Sequence, residues 1–317
     1  MKLKTIILLI TFASLFSCQK DETPWIDFFW QSSKMGSQTY DKAGMFINYH
    51  LNGSKSQFSS QFDTGSFGFL DEELIFALAS FDSKIANQIN KDTVTETIIN
   101  GKRISRILSD VTYNFGDIDI AQKNVSLMPS KSIRLTRNGF ESNYNTPMGT
   151  IGAQFCVGKV ILIDYPNERL ARLDSIPASY LIQKSIPFKI NAQNWVLLPF
   201  QIDQNSYYVV FDTGSSIFPF LTSERTFWER YGELQSQSDT LQVSSFGKIF
   251  DTYEATFINA PTKGLDLRNQ NIYLTTRPLK TQYVDSIPII GITGNKLFLD
   301  KTIAIDYKNK LFHILRK

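Results

Sequence analysis

The sequence predicts an all-β chain made of two homologous, barrel-like lobes with short helices. Three observations carry this. From Ile47 onward, short apolar or alternating runs are broken by turn residues at frequent intervals. Helical periodicity is confined to two stretches. An ordered series of features also occurs once in each half of the chain.

The strand runs include 45–51, 104–108, 196–202, 207–211 and 303–307. Asn52-Gly53 and Asn100-Gly101 mark tight hairpins, because both residue types tolerate positive φ. Asp71 can cap a helix that carries Leu74, Ile75, Leu78 and Phe81 on one face. Thr222 or Ser223 can cap a second, with Phe227, Trp228, Tyr231 and Leu234 spaced likewise.

The repeat is most visible at Phe62-Asp63-Thr64-Gly65-Ser66 and Phe211-Asp212-Thr213-Gly214-Ser215. Each copy follows a hairpin-like strand pair and precedes a capped helix. Asn100-Gly101-Lys102 corresponds loosely to Phe246-Gly247-Lys248, and Thr150-Ile151-Gly152 is echoed by Ile289-Ile290-Gly291. Each half closes with a strand, 161–165 against 303–307. A single tetrapeptide would be weak evidence, but five features in one order indicate a duplicated domain. The divisions expected are a signal peptide at 1–17, a lipidated tether at 18–40, and lobes at 41–180 and 181–317. The linker falls around 174–187, with Pro177 and Pro187.

Two carboxylates about 3 Å apart cannot both ionise, so they share a proton and titrate as a pair. One can then act as base toward a water while the other donates a hydrogen bond to a carbonyl. The neighbours suit such a pair. Thr64 and Thr213 carry hydroxyls able to bond between the two loops. Gly65 and Gly214 let the backbone approach the carboxylates. Ser66 and Ser215 are expected to bond their outer oxygens. Phe62 and Phe211 would seat each loop on an apolar core. Asp164 and Asp306, also repeated, precede Pro166-Asn167 and Lys308-Asn309 and read as turn residues.

Asp63-Thr64-Gly65-Ser66 and Asp212-Thr213-Gly214-Ser215 resemble the two active-site loops of pepsin-like aspartic proteases. Thr150-Ile151-Gly152 and Ile289-Ile290-Gly291 resemble the apolar-apolar-glycine segments packed behind them. Retropepsin-like proteases share these elements with one lobe per subunit. The resemblance covers the chain from about Met45 to its end. It implies a bilobal pepsin-like fold and an aspartic endopeptidase acting on peptide or protein substrates through Asp63 and Asp212. It implies no covalent intermediate, cofactor or metal. The flap of that family is expected at the hairpin of Asn100, Gly101 and Lys102, although the usual tyrosine is absent there; Tyr113 is an outside candidate. The disulfides and basic propeptide common in pepsin-like enzymes are not evident. A monomer is expected. Phe67, Phe69, Ile217 and Phe218 point to hydrophobic residues flanking the bond to be cut.

With 317 residues, 42% hydrophobic and 13% aromatic, the chain can bury a large core. Its formal charge is +3, with no basic run or basic–aromatic interleaving, which argues against nucleic acid. Lys2, Lys4 and the apolar run 6–16 read as an export signal. Leu15-Phe16-Ser17-Cys18 resembles a bacterial lipobox, which implies lipid on Cys18 and a membrane-tethered domain. Gln19-Lys20-Asp21-Glu22 resembles a tag for the outer face of the outer membrane; the periplasmic face is the other option. Cys156 would then be the only free thiol, reading as a buried and inert one. His50 and His313 lie on strand-like runs, so a zinc site or a Ser-His-Asp triad is poorly supplied. No phosphate loop or dinucleotide fingerprint is visible. The competing expectation is a surface lipoprotein that binds peptide in a protease-like cleft without cutting it.

Overall fold

The computed structural model describes residues 23–36, 38–89, 94–99, 102–129, 146–233, 240–245, 248–258, 260–277 and 282–317. Among them, 57% lie in strands and 13% in helices, so the chain is mostly β. The expected signal peptide, Cys18 and the expected tag at 19–22 lie outside the described residues.

The first half opens with a long hairpin, β1 (Ile26–Met35) and β2 (Gln38–Leu51), and continues into β3 (Gln57–Asp63) and β4 (Phe69–Asp71). Two helices follow, α1 (Glu72–Ala79) and α2 (Ser83–Ile89). Next come β5 (Val94–Ile99), β6 (Lys102–Phe115), β7 (Ile118–Met128), β8 (Thr146–Gly152), β9 (Val160–Asp164) and β10 (Arg169–Leu173). Asp71 caps α1 as its sequence predicts, its carboxylate accepting from the Leu74 amide at 2.9 Å. The helix ends at Ala79, and Phe81 lies beyond it in a turn. The sequence pattern did not reveal α2, which buries only Ile85.

The second half opens with β11 (Leu181–Pro187), β12 (Lys189–Ile190), β13 (Val196–Ile202), β14 (Asn205–Phe211) and β15 (Phe220–Thr222). Helix α3 (Arg225–Tyr231) buries Phe227, Trp228 and Tyr231. Its N-cap is Glu224, whose side chain does not cap the helix amides; Thr222 accepts from the Glu224 amide and donates to the Ile290 carbonyl. The remaining strands are β16 (Gly232–Glu233), β17 (Thr240–Ser245), β18 (Lys248–Phe257), β19 (Thr262–Gly264), β20 (Asn271–Thr275), β21 (Gln282–Val284), β22 (Ile287–Thr293), β23 (Thr302–Asp306) and β24 (Leu311–Arg316).

The two halves share one strand plan. β3 runs parallel to β8 as β14 does to β22, and β4 lies antiparallel to β8 as β15 does to β22. β4 also runs parallel to β7 as β15 does to β20. The hairpin β5–β6 matches β17–β18: Ile99 faces Lys102 and Ser245 faces Lys248. The intervening tips, Asn100-Gly101 and Phe246-Gly247, lie outside the described residues.

The final strands of each half meet. β9 and β23 pair antiparallel, Ile163 facing Ile303 and Ile161 facing Ile305, inside the sheet run β11-β24-β23-β9-β10-β1. The apolar run of β9 is buried throughout, as expected of a strand covered on both faces. Asp164 and Asp306 serve the turns after β9 and β23. Asp164 accepts from Asn167 and Arg169, and Asp306 from the Lys308 and Asn309 amides.

Three expectations about boundaries and closure need correction. Residues 26–40, expected in the tether, form β1 and the start of β2. Half of the expected linker, 181–187, is β11, paired to β24. Among the described residues only the first half closes into a ring, when His50 and Leu51 of β2 pair with Asn114 and Tyr113 of β6. No matching β13–β18 pairing is found among the described residues.

Candidate active site

Each repeated aspartate ends, or directly follows, a strand laid parallel to a glycine-bearing partner. Asp63 closes β3 opposite Gly152 of β8; Asp212 follows β14, its amide donating to the Thr293 carbonyl at 2.8 Å. Phe62 and Phe211 are fully buried beneath the loops. Phe62 packs edge-on against Phe155 at 6.1 Å, and Phe211 against Phe312 at 5.1 Å. Those rings anchor the loops as the sequence implies.

Strand register rephases the repeat. Gln61, Phe62 and Asp63 face Thr150, Ile151 and Gly152, whereas Val210 and Phe211 face Ile292 and Thr293. The second-half counterpart of Thr150-Ile151-Gly152 is therefore Ile292-Thr293-Gly294, three residues beyond the expected Ile289-Ile290-Gly291. Gly294 is the residue jammed behind the loop: a Cβ there would meet the Ser215 carbonyl oxygen at 1.5 Å.

The two loops are tied by four reciprocal bonds made by two completely buried threonines. The Thr64 amide donates to Thr213 Oγ1 at 3.0 Å, and the Thr213 amide to Thr64 Oγ1 at 3.1 Å. The Thr64 hydroxyl donates to the Phe211 carbonyl at 3.2 Å, and the Thr213 hydroxyl to the Phe62 carbonyl at 2.8 Å. Each hydroxyl thus donates to one carbonyl and accepts one amide, which leaves no orphan polar group in a dry interface.

This clasp brings the carboxyls of Asp63 and Asp212 into hydrogen-bond contact. Gly65 lies against Asp212 and Gly214 against Asp63; a Cβ at either would fall 2.4 or 2.5 Å from the opposing carboxyl carbon. The Gly65 amide donates to Asp63 Oδ1 at 2.9 Å, and the Gly214 amide to Asp212 Oδ1 at 2.7 Å. The backbone amides of Ser66 and Ser215, not their hydroxyls, complete the set around the carboxylates. The Ser66 hydroxyl instead accepts from the Gly68 amide.

Burial raises both carboxyl pKa values. Asp63 is pushed well above the usual carboxylate range by desolvation, then by the neighbouring charge and hydrogen bond of Asp212. Asp212 is raised by desolvation, but the bond from Asp63 and the surrounding amides oppose the rise. Two buried carboxyls in contact cannot both ionise readily, so they hold one proton between them and titrate as a pair.

The pair lies in a cavity of about 970 Å³ lined by both halves of the chain. Phe67, Phe69, Ile217 and Phe218 all line it, as the sequence implied. Tyr113 does not serve it: it is buried in the first-half core, 5.1 Å from Tyr49. Lys102 begins β6, while Asn100 and Gly101 of the expected flap lie outside the described residues. Sequence reasoning also missed cavity walls formed by Gln31, Met35 and Phe46 from the β1–β2 hairpin, and by Val243 and Phe250 from β17–β18.

A second missed feature is a buried polar brace. The Tyr165 hydroxyl, from the first half, donates to Asn295 Oδ1 at 2.6 Å. Asn295 Nδ2 donates to the Thr213 carbonyl at 2.7 Å and to Ser216 Oγ at 2.8 Å. The correctly phased first-half position is Ala153, so comparing the halves in register would have exposed Asn295.

The histidines hold strands: His50 Nδ1 bonds the Ser56 carbonyl and His313 Nδ1 the Ser185 hydroxyl. Cys156 is a free, buried thiol whose pKa burial pushes up to about 12. No group of acidic, histidine and cysteine side chains able to hold a metal occurs among the described residues. No protein-family model matches the chain, and no curated protein matches it.

Proposed function

We propose that the protein is a two-lobed, pepsin-like aspartic endopeptidase, with one catalytic aspartate from each lobe. The observation that carries this reading is the contact between the Asp63 and Asp212 carboxyls inside a cavity lined by both halves. The common strand plan of the halves, the paired closing strands and the threonine clasp support it.

In this mechanism one carboxyl of the Asp63–Asp212 pair holds the shared proton and donates a hydrogen bond to the scissile carbonyl. The other, ionised, takes a proton from the attacking water. The tetrahedral intermediate then collapses as the leaving nitrogen gains a proton. The apolar walls exclude bulk water and favour hydrophobic side chains beside the cut. The export leader, lipid on Cys18 and the following acidic tag support placing the domain, as a monomer, at the outer membrane and exposed at the cell surface. Among the described residues no helix is long and apolar enough to cross a membrane.

The test is cleavage of an unfolded protein by the purified chain across pH, with and without a pepstatin-type inhibitor. Cutting that the inhibitor and Asp212→Asn each abolish is the expected result. Peptide binding without cleavage at any pH would favour a binding lipoprotein.

A further inference from the structure

The hairpin of β1 and β2 leaves the first-half sheet and spans the cavity. Its lower part is anchored: Ile26 and Asp27 pair with β10, and Phe46 to His50 of β2 pair with β3. Beyond that, residues 30–35 and 38–45 pair only with each other among the described residues. The register slips between Gln31 and Ser33, where two steps along β1 match four along β2. Such an irregularity bends a ribbon and marks the place where it can pivot.

A free two-stranded ribbon is marginally stable in water and needs an apolar surface to rest on. This one finds it on the other half. Met35, Tyr40 and Ala43 pack against Ile217, Phe218, Leu241 and Tyr273, which are buried. Phe218 and Tyr273 form the centre of that patch, their rings 4.8 Å apart. Gln31, Ser33, Met35 and Phe46 of the same ribbon line the cavity that holds the aspartates. The second-half counterpart, β12–β13, has only two paired positions, Lys189 with Leu197 and Ile190 with Val196. Among the described residues only the first half therefore carries a long free ribbon of this kind.

We propose that the β1–β2 ribbon is a strap that opens to admit an extended peptide, closes on it, and selects a bulky apolar side chain at the contact of Met35, Tyr40 and Val243. This deepens the endopeptidase reading and rests on it for the identity of the ligand. An extended chain lying between the halves must pass the point where the tip touches the second half. The apolar patch that docks the tip is then available to a substrate side chain, which replaces the tip contacts at little cost in buried area.

The test uses the full chain in detergent and two internally quenched peptides that differ at one position, Phe against Ser. Binding is measured by anisotropy in the Asp212→Asn background, so that absence of turnover does not hide an effect on the strap. Met35→Ser with Tyr40→Ser, and separately Val243→Ser from the opposite wall, should each weaken the Phe peptide about tenfold. The Ser peptide should change by less than about twofold. In the active background the loss should fall on KM rather than kcat. Hydrogen exchange supplies a second readout: amides of 38–43 should exchange faster than those of β3 in the free protein and slow when the Phe peptide binds. Equal weakening of both peptides, no change in either variant, or exchange indifferent to peptide would overturn the strap. If the wild type binds the Phe peptide with this selectivity but never cuts it, the strap stands and the proteolytic reading fails.

Discussion

In the first half, the loop carrying Asp63 is backed by Ala153; in the second, the loop carrying Asp212 is backed by Asn295, which reaches the Thr213 carbonyl and Ser216. The tyrosines that follow the closing strands differ in the same sense. Tyr165 crosses to Asn295, whereas the buried hydroxyl of its counterpart Tyr307 has no hydrogen-bond partner among the described residues and lies near the Cys156 thiol. The two halves therefore share the aspartate loop and the threonine clasp but not the support behind them. The second loop is held by a satisfied polar network, and low dielectric makes such a network rigid. A pair that shares one proton needs its separation fixed, and here one partner is fixed more firmly than the other.

The comparison is broken most completely at the aspartates themselves. Asp63→Asn and Asp212→Asn should each lower kcat/KM for peptide cleavage by on the order of 10⁴-fold, measured under identical conditions. Equal losses are expected despite the unequal supports, because the two carboxyls act as one unit.

Removing the clasp comes next. Thr213→Val orphans the Thr64 amide and the Phe62 carbonyl, at about 1–3 kcal/mol for each buried unsatisfied group. Thr64→Val does the same to the Thr213 amide and the Phe211 carbonyl. Denaturant unfolding of both variants should give similar losses, since this feature is symmetric.

The brace separates the halves. Asn295→Leu should reduce kcat about tenfold and draw the two limbs of the pH–rate profile together, because a loosened Asp212 couples less to Asp63. Ala153→Ser should leave the width of that profile unchanged. Tyr165→Phe should reproduce a weaker form of the Asn295→Leu effect. A purely structural loss would lower activity without moving either limb.

The smallest effect concerns stability and pH. Folding raises the pKa of Asp63 and of Asp212, so their contribution is most favourable in acid, below the unfolded carboxyl value. It is lost as pH rises through the folded values. Asp63→Asn removes one of the two raised groups. Its melting temperature should exceed that of the wild type by a few degrees at neutral pH, and the gap should shrink toward pH 4.

The aspartate loops were legible because the same five residue types, Phe-Asp-Thr-Gly-Ser, occur in each half. The segment behind the second loop was read three residues early, because Thr293 replaces the apolar residue expected before Gly294. Thr293 tolerates burial there by donating to the Pro219 carbonyl at 2.7 Å. The strap was read as tether because its exposed edge is polar and its register slip breaks the alternation that signals a strand. Helix α2 escaped for a related reason: one buried residue makes no periodic pattern. Asn295 opens a short 3-10 helix, Asn295–Phe298, and the three-dimensional register of β14 on β22 is what marks it.

The most direct measurement is the pH–rate profile of one quenched peptide cleaved by wild-type and Asp212→Asn protein. A bell with two separated limbs in the wild type, and no cleavage above background in the variant, is what a shared proton between Asp63 and Asp212 requires. Cleavage by Asp212→Asn at a comparable rate, or a wild-type rate indifferent to pH from acid to neutral, would contradict it.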